Sequence, residues 1–250
     1  MTAFHLKIIA LTTMLIDHLG AVFPQHFGFE FRVVGRVAFP IYVYLVAEGF
    51  RHTKSPLKFL LRLGAFALIS EPFFDMAIRR AQLPWGVDFL NNTNIFYTLF
   101  LGGAAIYALQ LVRTKLTPVI ENIAADILSI APLIVCMWIA ETVLTSDYGA
   151  YGVAFIFLMY VIKPPKLRLA AMAVLCVYQH QNLVRQLVNY LFFDGTFLAP
   201  TVFFMMIPAT LVTVVLVAFY NGRRGPSFKW FFYASYPVHL LILGVVSLLI

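Results

Sequence analysis

Apolar runs of about twenty residues recur from one end of the chain to the other, separated by short polar punctuation. A helix rising about 1.5 Å per residue needs about that length to cross the ~30 Å hydrocarbon of a bilayer. The pattern predicts nine spans, at roughly 6–23, 33–50, 58–78, 95–112, 121–144, 149–162, 168–190, 198–220 and 230–250. The sixth is short, and QHQN at 179–182 interrupts the seventh. Turn-forming clusters stand between them: KSP at 54–56, PWG at 84–86, KPP at 163–165, FDG at 193–195 and NGRRGP at 221–226. None is long enough for a linker or a soluble domain, and no internal repeat is visible. Residues 1–250 therefore read as a single membrane domain, all-α, built as a polytopic helical bundle.

Composition agrees with the pattern. The chain is 62% hydrophobic and 12% charged, against about 45–50% and about 25% in soluble domains. Cys136 and Cys176 both fall inside apolar runs, which predicts buried thiols and gives no disulfide framework. The first apolar run resembles a signal peptide at its start. Asp17 and His18 interrupt it, however, and no small-residue cleavage site follows, so it is kept as the first span.

Charge orients the bundle. Alternate ends of the predicted spans carry Lys7; Arg51, Lys54, Lys58 and Arg62; Arg113 and Lys115; Lys163, Lys166 and Arg168; Arg223, Arg224 and Lys229. These are 13 of the 18 basic residues; the other ends hold Arg32, Arg36, Arg79, Arg80 and Arg185. The positive-inside rule then puts the N-terminus in the cytoplasm and the C-terminus outside, in a cell membrane and by expectation the bacterial cytoplasmic membrane. The net charge of +7 is a topology signal under this reading, and no nucleic-acid partner is expected.

Orientation gives depth. Lys7 to His18 is eleven residues, and Lys229 to His239 is ten, so both histidines rise about 15–16 Å from the inner interface, near the midplane. Asp17 and His18 point about 100° apart around their helix. Asp17 shares a face with Ala10, Thr13, Gly20 and Ala21; His18 shares one with Leu11, Met14 and Val22. Asp17 is thus expected to meet a cation or hydroxyl on a neighbouring helix and not the imidazole. Arg32 and Arg36 are one turn apart in the second span, with Pro40 predicted to kink it and Tyr44 and Glu48 continuing inward. Glu71 and Asp75 share a face of the third span, and Asn94 and Thr98 a face of the fourth. Ionisable groups inside a bilayer cost at least about 2.5–3.5 kcal/mol each, so they pair, line a hydrated cavity or work. No phosphate-binding glycine loop, zinc-spaced cluster or nucleophile elbow occurs, and no metal is expected.

Several stretches taken together resemble the TraX family, membrane proteins associated with N-acetylation of conjugative pilin, and more loosely the broader transmembrane acyltransferase superfamily. They are LKIIALTTMLIDHLG, GRVAFPIYVYLVAEG, NIFYTL, DYGAYG and FYASYPVHLLIL, which run from the first span to the last. The resemblance implies acyl transfer from cytoplasmic acetyl-CoA, with the first-helix histidine, here His18, as the catalytic residue. Arg36, Asn94 and His239 match motif positions of less defined role, while Asp17 and Glu71 complete the candidate set.

In that chemistry His18, with an ordinary pKa of about 6.5, would take a proton from an acceptor amine or hydroxyl as it attacks the thioester. Arg36 and Asn94 are candidates for steadying the oxyanion. His239 would orient His18 or protonate the leaving thiolate. Arg51, His52, Lys54, Arg223 and Arg224 would hold the phosphates of the acyl-CoA. Expected partners are therefore the lipid bilayer, acyl-CoA and an acceptor whose identity stays open: peptide amine, sugar or small molecule. Two other readings use the same residues. A proton-coupled secondary transporter would employ the intramembrane Asp, Glu and His groups, and a haem protein would use His18 and His239 as axial ligands.

Overall fold

The computed structural model describes residues 1–80, 86–115, 124, 127, 128, 130–192 and 200–249. Among them every regular element is a helix: α1 (Ala3–Val22), α2 (Pro24–Gly35), α3 (Ala38–His52), α4 (Pro56–Ile78), α5 (Ile95–Lys115), α6 (Ile130–Trp138), α7 (Gly149–Val161), α8 (Pro165–Tyr178), α9 (Gln181–Phe192), α10 (Pro200–Ala218) and α11 (Lys229–Leu249). A π-helical turn, Ile139–Val143, follows α6. Proline opens α2, α4, α8 and α10, where its missing N–H is not needed and its fixed φ suits the first turn.

Among the described residues five stretches are long and apolar enough to cross a membrane: Ala3–Val22, Pro24–His52, Ile95–Lys115, Thr201–Ala218 and Lys229–Leu249. The remaining predicted spans take other forms. The third is the 23-residue α4, which carries Lys58, Arg62, Glu71 and Asp75. The sixth is the short α7. The seventh is broken at Gln179 and His180 into α8 and the strongly amphipathic α9. The fifth begins in residues outside those described, as do the eighth span's first residues, the last residue of the ninth, most of the PWG cluster and the FDG cluster.

The second span divides at Arg36 and Val37. Pro40 is the reason. It lacks the N–H that would bond the carbonyl of residue 36, and its ring crowds that carbonyl. The break therefore falls four residues upstream of the proline, and Pro40 sits in the first turn of α3, where it is harmless.

The helices gather into two compact units. The first comprises residues 1–42 and 163–228. Here α1 and α2 lie side by side, α8 packs on α10, and α10 touches α2. Small residues set the α1–α2 distance: a Cβ on Gly20 would come within 2.8 Å of the Phe31 Cβ. Ala10 and Leu6 on the same helix are fully buried.

The second unit comprises residues 43–162 and 229–250. In it α4 packs on α5 and α11, and α5 packs on α6 and α7. Leu101, Ala140 and Val153 form a buried cluster covered by Phe100, Leu133, Met137 and Leu144. Gly102 brings α5 close to Ile156 of α7, and Gly244 brings α11 against Met76 of α4. Cys176 is buried and Cys136 partly buried, neither in a disulfide.

Candidate functional site

In the first unit the charges converge on one carboxylate. Asp17 Oδ2 accepts a hydrogen bond from Arg32 Nη1 at 2.5 Å, and Oδ1 accepts one from Arg36 Nη2 at 2.7 Å. Arg32 Nη1 also reaches the Asp17 carbonyl at 3.2 Å, and Arg36 Nε donates to the Arg32 carbonyl at 3.0 Å. The expectation that Asp17 would meet a cation on another helix is met twice. Gly35 makes it possible, because any Cβ there would occupy the Asp17 carboxylate's position. The clamp turns Asp17 toward α2, and His18, half-buried, follows it about 100° further round α1.

The same unit holds a site that sequence reading passed over. His180, at the break between α8 and α9, shares a 2.8 Å hydrogen bond between Nε2 and Thr210 Oγ1, whose hydroxyl donates to the Met206 carbonyl at 2.9 Å. Thr210 must therefore accept, so Nε2 bears a proton. Arg36 is within electrostatic reach of this ring. The QHQN interruption was visible; that it would face Thr210, 30 residues on, was not.

In the second unit Asn94 and Glu71 are locked together. Asn94 caps α5, its Oδ1 accepting the Phe96 N–H at 2.9 Å. Its amide donates to the Ala67 carbonyl at 2.9 Å and to Glu71 Oε2 at 2.6 Å, and its backbone N–H adds a bond to Oε2 at 3.1 Å. Both amide hydrogens are thus committed to α4, which makes Asn94 an organiser of Glu71. Thr98, on the same face, donates to Ser146 at 3.0 Å. Asp75 is fully buried; Oδ1 accepts from Arg79 at 3.0 Å and Oδ2 from the Asp88 N–H at 2.7 Å. Asp88 in turn closes its own loop, accepting from the Asn91 side chain and from the N–H groups of Leu90 and Asn91. Those bonds, led by the Asn91 side chain, hold the Asp88 carboxyl below its ordinary value.

His239 lies on α11, one turn from Ser235, whose carbonyl stands 2.7 Å from Nδ1. A carbonyl only accepts, so Nδ1 bears a proton. Tyr236 meets the imidazole edge-on at 5.4 Å and lies within electrostatic reach of Glu71 and Asp147.

The basic residues assigned to acyl-CoA divide. Arg51 donates through Nη2 to the carbonyls of Met159, Tyr160 and Ile162 at 2.6–2.9 Å, closing the C-terminal end of α7. Together with His52 it also brackets Glu48, at 3.6 and 3.3 Å. Lys54 is exposed in the turn that follows. Arg223 and Arg224 are exposed in the first unit, with Lys7 in electrostatic reach of Arg224. Among the described residues, no three of the His, Cys, Asp and Glu side chains stand together as a metal site.

A chain whose described elements are all helices, several of them of membrane length and carrying ionisable groups paired across them, is a polytopic membrane protein. It belongs to the TraX family: the sequence model of the family described as TraX protein matches residues 3–247. A curated relative, the probable fimbrial assembly protein FimC, serogroup H1, of Dichelobacter nodosus, is 28% identical over 257 residues, covering 97% of this chain and 94% of the relative. No solved structure matches.

Proposed function

We propose that this protein is a membrane acyltransferase that moves an acetyl group from acetyl-CoA to an amine or hydroxyl acceptor, in the service of fimbrial or pilus assembly. Membership of the TraX family and the name of its Dichelobacter relative support the setting. The observation that carries the chemistry is the separation of Asp17 from His18. The carboxylate is saturated by Arg32 and Arg36, so its part is to fix α1 against α2, and proton transfer is assigned to the adjacent imidazole.

His18 acts as general base on the acceptor. The proton that His18 takes from the acceptor is returned to the departing thiolate. Arg223 and Arg224, with Lys7 close by, meet the phosphates of the donor, while Arg51 serves α7. The acyl donor is the sole cofactor in this scheme.

The test is incubation of the purified protein with labelled acetyl-CoA and membrane extract, followed by mass spectrometry of the modified species. His18→Ala is expected to abolish labelling while the protein still inserts and runs as the native species in gel filtration. Labelling at the native level by that variant overturns the assignment.

A further inference from the structure

The most conspicuous unexplained polar feature lies between α4 and α5. Glu71 is fully buried and its two oxygens are treated differently. Oε2 accepts both Asn94 donors, at 2.6 and 3.1 Å, whereas Oε1 has no hydrogen-bond partner among the described residues. Tyr97, three residues beyond Asn94 on α5, is 7% exposed; its hydroxyl also lacks a partner, and its ring is in electrostatic reach of Glu71. Orphaned buried oxygens are rare because leaving them unpaired is costly. Two of them on packed helices mark a place where something else binds.

The surrounding charges say what kind of thing. Among the described residues no lysine, arginine or histidine pairs with Glu71. The nearby guanidinium, Arg79, is already held by Asp75 at 3.0 Å and Asp88 at 3.9 Å. Asp75 on α4 and Asp147 add negative charge to this neighbourhood, and Tyr236 of α11 adds none. An unpaired carboxylate there would be far more costly than the neutral acid. With two N–H donors facing Oε2, the proton belongs on Oε1. Tyr97 carries the second O–H. Two donors then lack an acceptor.

We propose that Glu71, as a neutral carboxylic acid, and Tyr97 form a two-donor site for the acyl oxygen of the group being transferred. This rests on the acyl-transfer reading above. As the acceptor's lone pair attacks the acyl carbon, the C=O π pair moves onto oxygen, and the Glu71 and Tyr97 O–H groups hold the resulting anion. The pair returns as the carbon–sulfur bond breaks; the thiolate leaves and takes the proton lost by the acceptor. Glu71 and Tyr97 keep their own protons throughout. Asn94 is a positioning residue, fixing which oxygen of Glu71 bears hydrogen.

Two measurements on the full-length protein in nanodiscs test this. In the infrared, the native protein shows a carboxylic-acid C=O band that is missing from Glu71→Gln. That band moves to lower frequency when an acetyl-CoA analogue with CH2 in place of sulfur binds, and the analogue's own ketone band moves with it. In the transfer assay, Glu71→Gln, whose amide still donates, loses up to about tenfold. Glu71→Leu and Tyr97→Phe each lose about a hundredfold, the usual effect of deleting one oxyanion donor.

Absence of the acid band, or analogue binding without a shift, overturns the proposal. So does a Glu71→Gln variant as inactive as Glu71→Leu, which would mean that the charged carboxylate is needed and that the ligand is a cation. Full activity in Glu71→Leu, with the native protein active, sinks the two-donor site alone. A native protein that neither binds the analogue nor transfers acetyl sinks the acyl-transfer reading along with it.

Discussion

Asp17 shows how much a single side chain inside a membrane can settle. Two guanidiniums share its carboxylate, so Asp17→Ala leaves both without their counter-charge. The expected cost is about 3 kcal/mol, read as a lower unfolding midpoint in detergent. The arginines are not equivalent. The Arg32 side chain is 36% exposed and that of Arg36 is 17%, so Arg36→Ala should destabilise more than Arg32→Ala in the same measurement, because exposed pairs contribute little. Helix periodicity alone indicated that Asp17 would look away from His18 and toward a cation. It could not choose the cation, since distances between helices are not written in the order of residues. The same gap hid Thr210 behind His180 and left Arg51 looking like a phosphate ligand, when its carbonyl partners stand more than a hundred residues away. Asn94 was legible as sharing a face with Thr98 but not as the residue that orders Glu71, 23 positions back.

At the scale of elements, close approach depends on glycine and helix ends depend on borrowed groups. Gly102→Leu should push α5 away from Ile156 and cost about 1–3 kcal/mol through overpacking, seen as a lower thermal midpoint. Arg51→Met should cost about 1.5–3 kcal/mol, the worth of hydrogen bonds from a charged donor, and amide exchange should rise in the last turn of α7 and not in its first. The loop of Asp88 responds to acid. Its carboxyl is held down in the folded state, so the stabilisation is complete above the ordinary aspartate value of about 3.9 and fades as pH falls through the lower folded value. Amide exchange at Leu90 and Asn91 should therefore quicken below about pH 3.9 while that of α5 stays slow. The proline starts of α4 and α8 fall in the KSP and KPP clusters that were plain in the sequence, because proline's effect is local. The break at Arg36 was displaced from the proline that causes it by the reach of one helical hydrogen bond.

For the whole molecule, the charge alternation makes a prediction that does not depend on any site. A reporter active only outside the cytoplasm, fused after Ile250, should be active, and one that fluoresces only inside should be dark. The opposite result reverses the assignment of Arg223 and Arg224 to a cytoplasmic donor. The helical class was legible from hydropathy because lipid leaves the backbone few choices. The count of spans was less so. Hydropathy treats α4, with its four charges, and the divided α8–α9 stretch as it treats simple spans, and only the packing of those charges shows how each is accommodated.

The π turn at Ile139–Val143 carries one further implication. It holds Glu141 so that Oε2 receives the Ala150 N–H at 2.9 Å, and α7 has no side-chain cap of its own at Tyr148. A π turn is an α turn with a residue inserted. Deleting a residue between 139 and 141 would restore the ordinary register and swing Glu141 by about 100°, out of line with α7. Chain length in that stretch is thus constrained as tightly as residue identity is elsewhere, and a shortened homologue should carry a substitute acceptor at the position of Tyr148.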